Sequence, residues 1–192
     1  MSASGRIRIA VMVGSLRRDS YNRRLAQAVA AQLPTDSFST QFLDIGTLPL
    51  YDQDQDERQP APVQQLKAHI ESADALLFVT PEYNRSMPGV LKNAIDHASR
   101  PSGRNSLAHK PAGILGASPG ALGSALAQQH LRNVLAHLDM LVMAQPEGFF
   151  HVRRDGDMAS DSDLLPGDGA RLLRAWTEAY VRWVQRMVAR YT

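Results

Sequence analysis

Short, almost wholly apolar runs of strand length alternate with amphipathic stretches of helix length along most of this chain, and that alternation constrains its fold more than any other feature. Ile7 to Val13, Phe38 to Leu43, Ala75 to Thr80, Ala112 to Ala117 and Met140 to Ala144 read as strands, the third (ALLFVT) most clearly. Asn22 to Leu33, Pro62 to Glu71, Pro88 to Ser99, Ala121 to Leu138 and Gly169 to Tyr191 read as helices. A strand that is apolar along its whole length is buried on both faces, which calls for parallel pairing with helices above and below. Right-handed crossovers then give a three-layer α/β/α domain. Five strands and five helices match a flavodoxin-like parallel sheet in the order 2-1-3-4-5. A length of 192 residues with 44% hydrophobic side chains suits a single domain spanning 1–192.

Composition removes whole classes of function. There is no cysteine, which excludes disulfides, thiolate metal sites and a catalytic thiol. No run approaches the roughly 18 apolar residues of a membrane span. The N-terminal arginines sit beside a strand-length apolar run with no cleavage site behind it, so the expected compartment is the cytoplasm, with no membrane partner. The net charge is only +2, and the 18 arginines and 3 lysines are scattered, which argues against nucleic acid as a partner.

Four features invite sharper readings. The loop from Pro49 to Pro60 carries Asp52, Asp54 and Asp56, but Glu57 and Val63 stand where a calcium loop needs glycine and glutamate. It reads as a solvated acidic loop without a packing role, as does the polar stretch from Arg153 to Asp168. In the last helix, Leu172, Leu173, Trp176, Tyr180, Trp183, Val184 and Met187 form one side, opposite Arg174, Glu178, Arg182, Arg186 and Arg190. That pattern predicts a helix docked on the sheet, not one lying on a membrane. Of the six histidines, His130 and His137 share a helix face but lack carboxylate partners, so they read as packing or interface residues with no metal.

Ligands of an open parallel sheet bind beyond the carboxyl ends of its strands, where the strand order reverses. The loop after Val13 runs Gly14-Ser15-Leu16-Arg17-Arg18-Asp19-Ser20-Tyr21-Asn22 into a helix. Hydroxyls, guanidinium groups and a helix N-terminus together suit a phosphate, and Ser20 is also placed to cap the helix. The spacing fits neither the dinucleotide fingerprint nor the P-loop. After Thr80, the stiff turn Pro81-Glu82-Tyr83-Asn84-Arg85-Ser86-Met87-Pro88-Gly89 can offer its backbone edge to a flat ring. The third loop, Gly116-Ala117-Ser118-Pro119-Gly120, has the spacing of a hydrolase nucleophile elbow, with Asp139 and His151 following in triad order. Pro119 defeats that reading, because the residue after the nucleophile must donate an N–H to the oxyanion and proline has none. A glycine-rich loop that lets a planar ring approach closely fits better.

The pattern Gly14-Ser15-Leu16-Arg17-x-x-Ser20-x-Asn22, joined to Pro81-Glu82-Tyr83-Asn84-x-Ser86-x-Pro88-Gly89-x-Leu91-Lys92-Asn93-Ala94-Ile95-Asp96, closely resembles the NAD(P)H-dependent FMN reductase family, which includes bacterial quinone, azo-dye and chromate reductases. The resemblance covers Ile7 to about Phe149. It implies bound FMN, NADPH or NADH as co-substrate, a quinone or other small electron acceptor, and a homodimer or homotetramer. Ser15, Leu16, Arg17, Ser20 and Asn22 would then surround the phosphate. Pro81, Glu82, Tyr83 and Asn84 would line the isoalloxazine ring, with Ser118 and Gly120 on its other side. Gln129, His130, Leu131, Arg132 and Glu147 occupy positions implied to help form the oligomer. Arg85 is a charge the motif does not require, and with Ser86 it is expected near the substrate, on an anionic partner such as the 2′-phosphate of NADPH. No side chain is expected to perform the chemistry, since the flavin carries the hydride. The alternative is a flavodoxin-like electron-transfer protein with no nicotinamide reaction of its own. Flavodoxins, however, are usually acidic and lack an arginine in the phosphate loop.

Overall fold

The computed structural model describes residues 5–152, 165 and 168–191. Strands β1 (Ile7–Val13), β2 (Phe38–Phe42), β3 (Ala75–Val79), β4 (Pro111–Ser118), β5 (Leu141–Val142) and β6 (Gly148–His151) form one sheet. Helices α1 (Tyr21–Gln32), α2 (Ala61–Ser72), α3 (Gly89–Ser99), α4 (Ala125–His137) and α5 (Gly169–Tyr191) connect or cover them. The strand order is β2-β1-β3-β4-β5, every pairing is parallel, and β6 also pairs with β4.

Burial on both faces of the central strands sets up the two cores. In β1, Ile9, Val11 and Val13 point into a cluster with Leu25, Val29, Trp176 and Tyr180 from α1 and α5. The alternate residues Ala10 and Met12 join Leu66, Ile70, Leu91, Ile95 and Leu131 from α2, α3 and α4. α5 is docked on the sheet as its pattern predicts, with Trp176 and Tyr180 stacked at 5.4 Å, although Leu172 is turned to solvent. The Tyr180 hydroxyl donates to the Leu76 carbonyl at 2.8 Å, and complete burial pushes that phenol well above its ordinary pKa. No helix among the described residues is long and apolar enough to cross a membrane.

The structure departs from the sequence pattern in three places. The predicted strand from Met140 to Ala144 shrinks to β5, which pairs with the start of β4 (Pro111↔Leu141), while β6 takes up the same edge at the other end (Leu115↔Gly148). Only four residues long, with alternating burial, β6 carries too short a pattern to register. Second, α4 starts at Ala125, not Ala121, because Gly123 and Ser124 adopt left-handed backbone angles that no helix accommodates. Third, the acidic loop does have a packing role. Residues Gln53–Arg58 form a 3-10 turn whose Asp56 accepts hydrogen bonds from Arg100 and Tyr51. The Pro49 carbonyl accepts from the Asn93 amide at 2.8 Å, which straps the loop along α3. Asp52 and Asp54 face water as expected. The expected loop from Arg153 to Asp168 falls, but for Leu165 and Asp168, outside the described residues.

On the far side of α2, Lys67 is buried and its ammonium donates to the carbonyls of Ala98, Arg100 and Arg104 at 2.6–3.2 Å. The Ala98 carbonyl also accepts the Ser106 N–H at 3.0 Å and the Arg100 carbonyl the Gln59 amide at 3.1 Å, so the ammonium joins the end of α3 to the turn after it.

Candidate flavin site

The strand order reverses between β1 and β3, and the loops that leave β1, β3 and β4 meet there in a cleft of about 280 Å³. Ser15, Arg17, Ser20, Tyr21, Asn22, Pro81, Glu82, Tyr83, Ala117, Ser118 and Pro119 line it. The cleft thus brings together seven of the residues read from the sequence as one flavin site on the first two loops, and Ser118 from the third.

The first loop is held tightly at its base. The Gly14 N–H donates to the Val79 carbonyl at 2.9 Å, and a Cβ on Gly14 would stand only 3.2 Å from Leu91 and Thr80. Ser20 caps α1, its hydroxyl accepting from the Arg23 N–H at 3.2 Å, and the first turn of the helix holds no acidic residue. The positive end of α1 therefore opens into the cleft with no carboxylate in its own first turn. The Arg17 guanidinium lies over the Tyr21 ring at 5.4 Å, at the rim of the same space. Leu16 does not line the cleft; it is exposed and leans toward Gly46.

Asn22 is almost fully buried, and both ends of its amide are engaged. Its Nδ2 donates to the Ala117 carbonyl and its Oδ1 accepts the Ala117 N–H, each at 2.9 Å. Loss of these bonds would strand two buried backbone groups at a cost of about 1–3 kcal/mol each.

The second loop folds back on itself. Tyr83 and Ser86 exchange backbone hydrogen bonds at 2.9 and 3.0 Å, and Asn84 and Arg85 between them both take positive φ, 50° and 67°. This is the pattern of a type I′ turn, which asparagine tolerates and arginine does not favour. Asn84, Arg85 and Ser86 accordingly stand outside the cleft wall. The Glu82 carboxylate turns toward α4, where it accepts the N–H groups of Leu126 and Ala127 at 3.0 and 3.3 Å. Arg85 lies 3.8 Å from the other oxygen of Glu82, with 70% of its own side chain exposed. Ser86 is hydrogen-bonded to His130 at 3.0 Å.

The third loop is compact. The Gly120 N–H donates to Ser118 Oγ at 3.0 Å, so Gly120 shapes the turn without lining the cleft. Sequence reasoning missed Tyr21, Ala117 and Pro119 as cleft residues. In the sequence Pro119 stands out only as an obstacle to hydrolysis, though a rigid residue with no N–H makes a good wall beside a ring. The rival triad does not assemble. Ser118 and His151 are register neighbours, but Asp139 pairs with His109 at 3.1 Å beside the start of β4, about 20 Å away along the strand. Arg132 donates to the Met143 carbonyl at 2.9 Å and lies 4.0 Å from Glu147; burial lowers its pKa and Glu147 opposes that shift.

Several known proteins are similar to this chain along nearly its whole length. A 2-hydroxy-1,4-benzoquinone reductase from a Burkholderia species is 49% identical over 180 residues, covering 93% of this chain and 97% of that one. A quinone reductase from Pseudomonas putida is 41% identical over 181 residues, covering 92% and 94%. Among solved structures, the flavoenzyme NAD(P)H:(acceptor) oxidoreductase FerB from Paracoccus denitrificans superposes with a TM-score of 0.86 at 41% identity, covering 94% of this chain and 98% of its own. The sequence model of the NADPH-dependent FMN reductases matches residues 7–154, a span that holds all three loops of the cleft, and the chain belongs to that family.

Proposed function

We propose that this chain is an NAD(P)H-dependent oxidoreductase that holds FMN in the cleft at the β1/β3 reversal and passes its reducing equivalents to quinones. The convergence of a phosphate-type loop and two ring-sized loops in one cleft carries this reading. The donor chemistry fits the cofactor. Ser15, Arg17, Ser20 and the start of α1 offer hydroxyl, guanidinium and helix N–H groups suited to a phosphate, with no acidic residue in the first helical turn to oppose it. Pro81, Glu82 and Tyr83 from the second loop and Ala117, Ser118 and Pro119 from the third line the rest of the cleft, where the ring would lie.

When bound, the flavin supplies the redox chemistry, taking a hydride from the nicotinamide and returning electrons to the acceptor. The residues of the chain bind and orient. Arg17 balances the phosphate charge, the Tyr83–Ser86 turn fixes one edge of the cleft, and Glu82 anchors that turn to α4. Quinones are the acceptor class the relatives' names support, and azo compounds and chromate are further small oxidants of the same site. We place the enzyme in the cytoplasm as a single catalytic domain that works as a homodimer or homotetramer. The exposed apolar side chains Tyr83, Leu122, Leu126 and Phe149, on segments close to the cleft, support self-association. The test is FMN-dependent oxidation of NADPH or NADH with 1,4-benzoquinone as acceptor. Turnover that requires both flavin and quinone is expected, and absence of turnover with every nicotinamide and quinone pair would refute the assignment.

A further inference from the structure

The end of β4 presents a gap in the sheet. Val79 and Leu115 are the last registered pair of β3 and β4, and the Thr80 N–H closes the ladder on the Leu115 carbonyl at 3.0 Å. Residues two apart in a strand direct their N–H and C=O groups to the same side. Ala117 therefore aims both groups at the space β3 has just vacated. Its neighbour Ser118 faces the other way, where its carbonyl accepts the Val152 N–H at 3.1 Å. Asn22 fills the vacated place from 95 residues away, its amide returning both bonds at 2.9 Å. Asn22 is 2% exposed and Ala117 1%, so solvent does not reach this pair.

We infer that Asn22 is a positioning residue: it supplies the missing rung of the sheet and ties the ring-flanking loop after Ala117 to the phosphate-holding start of α1, instead of gripping the phosphate with its own amide. A carboxamide is the side chain that presents one donor and one acceptor with the spacing of a peptide group, which this rung requires. The inference rests on the flavin reading above and assigns Asn22 a different task from the one the family resemblance implies.

Riboflavin separates the two tasks, because it keeps the ring and lacks the phosphate. Flavin-free Asn22→Ala should lose affinity for FMN and riboflavin by the same factor, about tenfold or more. At saturating FMN, its bound flavin should also show a visible absorption band displaced from that of the wild type. Arg17→Ala supplies the contrast, with weakened FMN binding and unchanged riboflavin binding. Asn22→Ser, which keeps a small hydroxyl in the space, carries the same expectation if the alanine variant does not fold. A loss confined to FMN, or unchanged affinity with an unchanged band, overturns the inference. Wild-type protein that binds neither flavin overturns the flavin reading itself, and the role of Asn22 toward the ring with it.

Discussion

Gly116 lies one residue before Ala117 on β4, and replacing it with alanine tests how tightly the cleft floor is built. A Cβ at this position would fall inside the contact shells of the Thr80 carbonyl oxygen and of Ser124 Oγ, with Ser124 Cβ at 3.2 Å. Relief to an ordinary carbon–oxygen separation, about 3.3 Å or more, needs a shift on the order of 1 Å. Neither neighbour gives way easily. Thr80 is pinned by its N–H bond to Leu115 at 3.0 Å, and Ser124 is buried with the Gln128 amide on its hydroxyl at 3.0 Å. The strain therefore passes into the end of β4 and the loop beyond it. Overpacking of this kind costs up to about 3 kcal/mol. For a chain of this size that corresponds to a melting point lower by roughly 6–12 °C. Gly89→Ala is the matched control, since a Cβ there meets nothing within 4 Å and falls at the first position of α3. That change should be neutral or stabilising by up to about 1 kcal/mol. Thermal unfolding of the flavin-free proteins by circular dichroism, followed by FMN titration with flavin fluorescence, reads both effects. If Gly116→Ala melts within about 2 °C of wild type and binds FMN equally well, the packing argument is wrong.

Two other substitutions test separate parts of the molecule. Arg85→Ala should raise KM for NADPH more than for NADH with little change in kcat, as expected of an exposed guanidinium that meets the 2′-phosphate; equal effects on both nucleotides would remove it from that role. Lys67→Met should destabilise the fold by about 2 kcal/mol in urea unfolding, because three carbonyls lose their shared donor. A variant as stable as wild type would show that the apolar side chain compensates for them.

What the sequence revealed depended on how local each signal is. β1, β3 and β4 were legible because burial on both faces leaves an unbroken apolar run, and parallel order then followed from the helices between them. The convergence of three loops was legible for the same reason, since the strand reversal rule needs only topology. The hydrogen bonds that hold those loops were not. Asn22 finds its partner 95 residues away and Glu82 reaches across 44, and no periodicity carries that information. The motif implies a phosphate contact for the one and a ring contact for the other, and carries no sign of the bonds by which their side chains join one loop to another element. Likewise, Asp56 read as part of a solvated run because its partners Tyr51 and Arg100 come together only once α3 is in place.

A flavin that nicotinamide reduces and a quinone reoxidises is expected in the cleft. Purified protein tests this directly through its visible spectrum, recorded anaerobically before and after NADPH and again after 1,4-benzoquinone. A yellow protein is expected, one that releases FMN in equimolar amount on denaturation, bleaches with NADPH and regains its colour with the quinone. A colourless protein that takes up no added FMN would contradict the assignment.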